Sequence, residues 1–156
     1  TNTLVSPEKW KEVVASSPQG IVVLSFNTLR RSYSFDEEYW VSLEHQNWSY
    51  RLSLLMKIFG TVDADIVCVQ EAELDTMEED FKFMKEEFGY ELLKGKAKEN
   101  DLHLHTKPSI YFKASKFQLE WSLQRTRTLL SLFTELKTGK SFYVIVCHLQ
   151  GQLACE

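Results

Sequence analysis

The strongest fold signal in the chain is the stretch Asp63-Ala64-Asp65-Ile66-Val67-Cys68-Val69-Gln70-Glu71. Its short apolar run predicts a strand that is covered on both faces. Glu71 comes directly after this strand, and a carboxylate in a protein interior needs a cation, a metal ion or several hydrogen bonds as partners. Glu71 is therefore a candidate ligand for Mg²⁺, a hard ion that prefers oxygen atoms. The alternative is that Glu71 begins an exposed loop and is solvated.

A second apolar strand is predicted earlier in the chain, over residues 21–26, and it ends at Asn27. Residues 48–62 lie between the two strands and carry apolar side chains at helical spacing. The order strand, helix, strand predicts a crossover within one sheet, so Asn27 and Glu71 should lie on the same edge, where open α/β proteins bind ligands. The Asn27 amide could orient a ligand carboxylate or contact a phosphate oxygen. A simple turn role is the alternative.

His148 is the third candidate residue, because it follows another continuous apolar strand pattern at residues 142–147. Its imidazolium could donate a hydrogen bond to a phosphoryl oxygen and stabilise charge that develops during a reaction. The alternative is a core histidine that is paired with a backbone carbonyl.

The other predicted elements complete a mixed pattern of helices and strands. Helices are predicted from Ser6 to about Ser16 and, as a single element, over residues 76–88. Further strands are predicted at residues 90–93, 109–113, 118–123, 128–136 and 141–149, with a hairpin turn at Thr138-Gly139. Residues 28–47 and 94–108 are predicted to be surface loops. We expect both strands before Glu71 to be covered on their two faces.

Three weaker clusters allow functional and structural interpretations. His103-Leu104-His105 has metal-binding spacing on a strand, but without cysteine partners solvated loop histidines are favoured over a zinc site. The other two clusters are basic: Lys94, Lys96 and Lys98 form one, and Arg125 and Arg127 form the other. Each could contact phosphate or could simply be part of an ordinary charged surface.

Composition limits the class of protein. With 156 residues, of which 44% are hydrophobic, residues 1–156 are expected to form one domain with a sizeable core. The net charge of -4 excludes a global positive field, so any nucleic-acid binding must be local. Cys68, Cys147 and Cys155 lack metal or redox spacing, which favours a reducing, intracellular and cytoplasmic location. We expect no membrane-spanning segment, because no apolar stretch is long enough.

Four segments of the chain form an ordered set of motifs. They are Leu24-Ser25-Phe26-Asn27-Thr28-Leu29, residues 63–71, Ser109-Ile110-Tyr111-Phe112-Lys113 and Cys147-His148-Leu149. Taken in this order, they resemble the endonuclease/exonuclease/phosphatase superfamily, especially its deadenylase and nocturnin-like branch. A fifth segment, Trp48-Ser49-Tyr50-Arg51, looks like the Trp-x-x-Arg helix start of that branch. The ordered set is more specific than any one segment.

The resemblance implies an α/β fold, namely a portion of a four-layer α/β/β/α sandwich with mixed, largely antiparallel sheets. It also implies catalytic roles for Asn27, Glu71 and His148: Glu71 as a ligand of Mg²⁺, with Mn²⁺ as an alternative ion, and Asn27 and His148 at the phosphate. The implied reaction is hydrolysis of RNA by a 3′-exonuclease of the deadenylase type. Alternatives are a nucleotide phosphatase of the same superfamily and an inactive interaction module.

The chain departs from the family pattern at two places. The deadenylase-like branch usually has a lysine after His-Leu, whereas this chain has Gln150. The family's second half, with a Gly-Asp-x-Asn segment and a terminal Asp-His pair, has no counterpart here. We therefore expect an amino-terminal part of the domain that is inactive by itself, and a missing carboxyl-terminal half or another subunit that covers one sheet face.

Overall fold

The computed structural model describes residues 20–32, 41–96 and 106–149, together with Glu12. The predicted helix between Ser6 and Ser16 lies outside this description apart from Glu12. Within the described ranges, the strands are β1 Val23–Asn27, β2 Ile66–Gln70, β3 Tyr90–Leu93, β4 Ser109–Lys113, β5 Phe117–Gln124, β6 Thr128–Glu135 and β7 Ser141–Cys147. The helices are α1 Leu43–Gln46, α2 Trp48–Val62, α3 Met77–Asp80 and α4 Lys82–Glu86.

The strands form two sheets. The first has the order β1-β2-β4-β3, in which β1 and β2 are parallel and the other neighbours are antiparallel. The second is the antiparallel sheet β5-β6-β7. This arrangement confirms the prediction of an α/β fold with mixed, largely antiparallel sheets.

The β2 strand lies at the centre of two hydrophobic layers, because its alternate side chains point to opposite faces of the first sheet. Val67 and Val69 belong to the cluster between this sheet and the helices. Ile66 and Cys68 belong to the cluster between the two sheets. All five residues of β2 are buried, so the prediction of a strand covered on both faces is confirmed.

For β1 the same prediction is wrong on one face. Leu24 and Phe26 pack against the helix-side cluster, but Val23 is 52% exposed and Ser25 is also exposed. The cluster between the sheets contains no β1 residue, because the described second sheet lies over β2 and its neighbour β4 instead. The apolar run alone does not reveal that β1 is an edge strand in the described part of the chain.

The α2 helix has the bounds that its apolar spacing predicts. It begins after Asn47, whose side-chain oxygen accepts hydrogen bonds from the amides of Ser49 and Tyr50. Such an N-cap pairs donors that have no partner within the helix. The helix ends at Asp63, which has a left-handed φ of 46°.

The single helix predicted over residues 76–88 is wrong, because the segment forms two short helices that are separated at Phe81. This residue has φ -107° and ψ 23°, outside helical values, and its side chain is only 2% exposed. Its ring packs beside those of Phe59, Phe83 and Tyr111. We attribute the break to this tertiary packing, which local helix propensity does not encode.

The outer face of the second sheet carries two rows of apolar side chains. Trp121 is opposite Leu132, which is opposite Tyr143, and Leu123, Leu130 and Ile145 form the adjacent row. Tyr143 and Ile145 are 62% and 60% exposed. The described part of the chain therefore provides three layers, one of helices and two of sheets, and leaves this face uncovered. None of the described helices has the length and apolar character needed to cross a bilayer.

Candidate active site

Asn27, Glu71 and His148 meet at one edge of the molecule. Oε1 of Glu71 accepts a hydrogen bond from Nδ2 of Asn27 at 2.8 Å. The same oxygen lies 2.9 Å from Nε2 of His148. The structure thus brings together the three polar residues that follow or end separate strands.

Strand pairing explains why these residues converge. Asn27 is the last residue of β1 and pairs with Gln70, so the next residue of β2, Glu71, lies beside it. The parallel pairing extends one step further, because the Thr28 amide donates to the Gln70 carbonyl at 2.9 Å. His148 follows β7 of the other sheet, and its amide donates to the Arg127 carbonyl at 2.9 Å. The site therefore lies where both sheets end.

The backbone at Glu71 is unusual for a residue with a side chain. Its φ is 60°, in the left-handed region that non-glycine residues rarely adopt. Strained backbone persists where the surrounding structure holds it, and such positions are frequent at functional sites. In this conformation the Glu71 carboxylate contacts both Asn27 and His148.

The residues at this site fit Mg²⁺ with Glu71 as the one carboxylate ligand. Mg²⁺ usually keeps several water ligands and takes only one or two carboxylates from the protein. The Glu71 side chain is 17% exposed and so is open to solvent on one side. Within the described ranges, no group of three or more His, Cys, Asp or Glu side chains could hold a metal ion.

Two further carboxylates, those of Glu73 and Asp80, hold the loop after β1, and no local sequence pattern points to them. Glu73 accepts from Nε of Arg30 at 3.0 Å and from the Ser32 amide at 3.1 Å. Burial alone would raise the pKa of Glu73, but the hydrogen bonds from Ser32 and Arg30 outweigh it and lower the pKa overall. The partners lie more than 40 positions away in the chain, so periodicity could not reveal the contact.

Asp80 forms the second anchor of this loop region. Its Oδ1 accepts from Nε1 of Trp48 and from Nη1 of Arg31, each at 3.0 Å, and its Oδ2 accepts from the Thr76 hydroxyl at 2.6 Å. Asp80 is only 9% exposed. Asp80 therefore links α3 to α2 and to the loop after β1.

The weaker candidates have more ordinary surroundings where they are described. Lys94 forms an ion pair with Glu78 at 2.6 Å, and Lys96 is exposed. The backbone of Arg125 closes the β5–β6 turn by donating to the Thr128 carbonyl. Lys98, His103, His105, Cys155 and Gln150 lie outside the described residues. The phosphate contacts considered for the lysine and arginine side chains and the zinc role considered for the two histidines stay predictions.

Comparison with solved structures identifies the fold. The structure of ANGEL2, described as a 2′,3′-cyclic phosphatase, matches with a TM-score of 0.69 and 23% identity, over 83% of this chain and 41% of that chain. The human nocturnin catalytic domain matches with a TM-score of 0.62 and 19% identity, over 85% of this chain and 50% of that chain. An endonuclease/exonuclease/phosphatase from Bacteroides vulgatus matches with a TM-score of 0.60 and 14% identity, over 80% and 51%.

The chain has the endonuclease/exonuclease/phosphatase fold. This result confirms the fold that the ordered strand-end segments led us to expect. Among curated proteins, the 3′-5′-exoribonuclease subunit Ccr4 of the CCR4-Not complex from Saccharomyces cerevisiae is 30% identical over 104 residues. That match covers 62% of this chain and 12% of Ccr4, and this chain spans about half or less of the matched solved structures. No family model matches the sequence.

Proposed function

We propose that this chain contributes the amino-terminal part of the active site of a Mg²⁺-dependent hydrolase of phosphoric esters. The observation that carries the proposal is the position of one Glu71 oxygen between Asn27 and His148, at distances of 2.8 and 2.9 Å. A carboxylate, an amide and an imidazole at one edge of this fold form a suitable set for a metal ion and a phosphate. The fold alone supports several chemistries, so the site residues carry the argument.

Glu71 is the proposed metal ligand, with Mn²⁺ as an alternative to Mg²⁺. When bound, the ion would neutralise charge on the phosphoryl oxygens. Asn27 orients the carboxylate, because its Nδ2 donates to Oε1 and adds no charge. His148 offers a hydrogen-bond donor from the second sheet, so it can contact a phosphoryl oxygen next to the carboxylate.

The proposed substrate is RNA, and the proposed reaction is removal of nucleotides from a 3′ end in the manner of a deadenylase. Support comes from the similarity to Ccr4, which is named as a 3′-5′-exoribonuclease, and from the nocturnin fold. With a net charge of -4, the chain offers no general attraction to RNA, so binding must use local contacts. We place the protein in the cytoplasm as part of this proposal.

A further carboxylate and a second histidine are needed to activate water and to transfer a proton, and we propose that additional chain or another subunit supplies them. The uncovered outer face of the second sheet supports this part of the proposal. Exposed apolar faces of that kind are usually covered by packing in a complete domain or assembly. By itself, this chain is expected to bind Mg²⁺ without turnover.

The metal site can be tested on this chain by thermal unfolding in the presence and absence of Mg²⁺. Binding to the folded state raises the midpoint by mass action, so the wild type should be stabilised by millimolar Mg²⁺. Glu71→Gln keeps the side-chain shape and removes the charge, and should abolish this gain. Glu79→Gln, an exposed carboxylate change on α3, is the matched control and should keep it. An equal Mg²⁺ effect in Glu71→Gln and wild type would remove Glu71 from the metal site.

A nucleotide or cyclic-phosphate phosphatase is the second candidate, because ANGEL2 is described as a 2′,3′-cyclic phosphatase. RNA with a 3′-poly(A) end and RNA with a terminal 2′,3′-cyclic phosphate should be incubated with a longer native protein that contains this chain. Shortening of the first supports the exonuclease, whereas opening of the second without shortening supports the phosphatase. No change in either RNA, together with no Mg²⁺ binding, would favour an interaction module.

A further inference from the structure

Arg51 holds the backbone of the loop that follows Asn27. Its Nη1 donates to the Leu29 carbonyl at 2.6 Å, and its Nη2 donates to the Arg30 carbonyl at 3.2 Å. The planar guanidinium thus bridges two successive carbonyl groups, an arrangement that suits its fixed fork of donors. Arg51 lies in the first turn of α2, so the contact joins the helix to the loop after β1.

The surroundings of Arg51 restrict its side chain to this position. The guanidinium lies 5.0 Å from the ring centroid of Trp48, at a distance typical of cation–π contacts. Desolvation by burial lowers the pKa of Arg51. Its Nε is buried and has no hydrogen-bond partner within the described ranges, so the Nη atoms make the polar contacts found there. These contacts hold a partly buried guanidinium in place, and an aliphatic side chain of similar length could not make them.

Leu29 transmits this contact to Asn27. While its carbonyl accepts from Arg51, its amide donates to Oδ1 of Asn27 at 2.9 Å. That second bond sets the rotation of the Asn27 amide group, because it occupies the oxygen and leaves Nδ2 to face Glu71 at 2.8 Å. Leu29 also has a left-handed φ of 51°, a conformation that needs support from its surroundings.

We propose that Arg51 is a positioning residue for the site: it fixes Leu29, and Leu29 fixes the amide orientation with which Asn27 holds Glu71. This inference rests on the proposed function for its consequence on metal binding, but the orientation of Asn27 can be measured independently. Residues behind a metal ligand orient it, and their loss commonly weakens metal binding. Arg51 itself touches neither Glu71 nor His148 through any described contact.

The test compares Arg51→Met, Arg51→Lys and the control Lys57→Met, which removes an exposed cation from the same helix. NMR of this chain follows the side-chain amide of Asn27 and hydrogen exchange of the Leu29 amide, and calorimetry gives the Mg²⁺ dissociation constant. In Arg51→Met we expect faster Leu29 exchange, an Asn27 amide shifted toward free asparagine, and a dissociation constant about 10-fold higher. Arg51→Lys should recover part of each change, because lysine keeps the charge without the fork.

The possible outcomes separate the two proposals. If the Asn27 and Leu29 signals of Arg51→Met match those of Lys57→Met, the positioning role is overturned. If those signals change as expected but wild type binds no Mg²⁺, the positioning role stands and the proposed metal site fails. If Arg51→Met does not fold, Arg51→Lys is compared with Lys57→Met in the same way. Asn27 and Leu29 signals in Arg51→Lys that match those of wild type would then overturn the positioning role of the guanidinium.

Discussion

Nε2 of His148 lies 2.9 Å from Oε1 of Glu71, although the two residues are separated by 77 positions in the chain. Glu71 follows the first sheet and His148 follows the second, so this contact joins the two sheets at their common edge. The His148 amide donates to the Arg127 carbonyl, which fixes the backbone of His148 directly after β7. The active-site proposal therefore depends on how the sheets pack, as well as on the local strand ends.

Asn27→Asp should make the stability of the folded protein depend on a cation bound at the site. It replaces the donor that lies 2.8 Å from Glu71 with a second carboxylate, and two adjacent negative charges repel each other. We expect the free energy of unfolding at neutral pH to fall by about 1 kcal/mol, because this solvent-exposed hydrogen bond is lost and repulsion is added. Mg²⁺ should raise the midpoint of thermal unfolding more in this variant than in wild type.

Asn47→Asp is the control for that change, because it introduces the same charge at the N-cap of α2. Asn47 accepts hydrogen bonds from two helix amides, and aspartate caps helices about as well as asparagine. This control should keep wild-type stability and show the wild-type Mg²⁺ response. Equal stability of the two variants would contradict the proposed orientation of the Asn27 amide.

Asp80→Asn tests the anchor that joins α3 to α2. The buried carboxylate accepts from Trp48, Arg31 and Thr76, and an amide cannot accept all of these bonds because one of its two ends is a donor. We expect a loss of about 2 kcal/mol in urea unfolding. Glu79→Gln in the same helix should change stability by less than about 0.5 kcal/mol, because its ion pair with Lys82 is exposed. Similar losses in both variants would show that Asp80 is not a special anchor.

Glu73 should give a pH-dependent contribution to stability. Its folded-state pKa is lowered by Ser32 and Arg30, which outweigh the effect of burial. A carboxyl group with a depressed folded pKa stabilises the protein above its unfolded value of about 4.3, and this contribution is lost as pH falls through the folded pKa. The stability difference between wild type and Glu73→Gln should therefore be largest near neutral pH and shrink below about pH 4.3. A difference that stays constant down to pH 3 would contradict the assignment.

The fold could be predicted where local pattern determines the outcome. The run of β2 and the spacing of α2 gave correct elements because burial on two faces or on one helix face leaves a periodic signal. The exposed face of β1 could not be predicted, because Val23 is as apolar as a buried residue. Whether this face is buried depends only on how far the second sheet extends over the first. The break at Phe81 likewise depends on rings from distant elements.

In the candidate site, too, residues marked by a local sequence pattern could be predicted, whereas contacts between distant residues could not. Asn27, Glu71 and His148 could be singled out because each polar residue ends or follows an apolar strand. The anchor at Asp80 could not, because Trp48 and Arg31 lie 32 and 49 positions away from it. Arg51 carried a motif signal, but only the structure reveals that its guanidinium reaches the carbonyls of Leu29 and Arg30.

The uncovered face of the second sheet gives a final prediction, because adjacent residues of β7 point to opposite sides. Tyr143 and Ile145 point outward, whereas Val144 and Val146 are buried between the sheets. In this chain, the double change Tyr143→Thr and Ile145→Thr should alter the free energy of unfolding by less than about 0.5 kcal/mol and should reduce light scattering at high concentration. Val144→Ala or Val146→Ala should each cost about 2 kcal/mol, because each removes buried methyl groups.

In a longer native protein whose additional chain covers this face, the double change Tyr143→Thr and Ile145→Thr should lower the free energy of unfolding by several times more than it does in this chain, as measured by urea unfolding. An equally small effect in both proteins would show that the face stays exposed, and would exclude this surface as the place where the proposed additional chain packs.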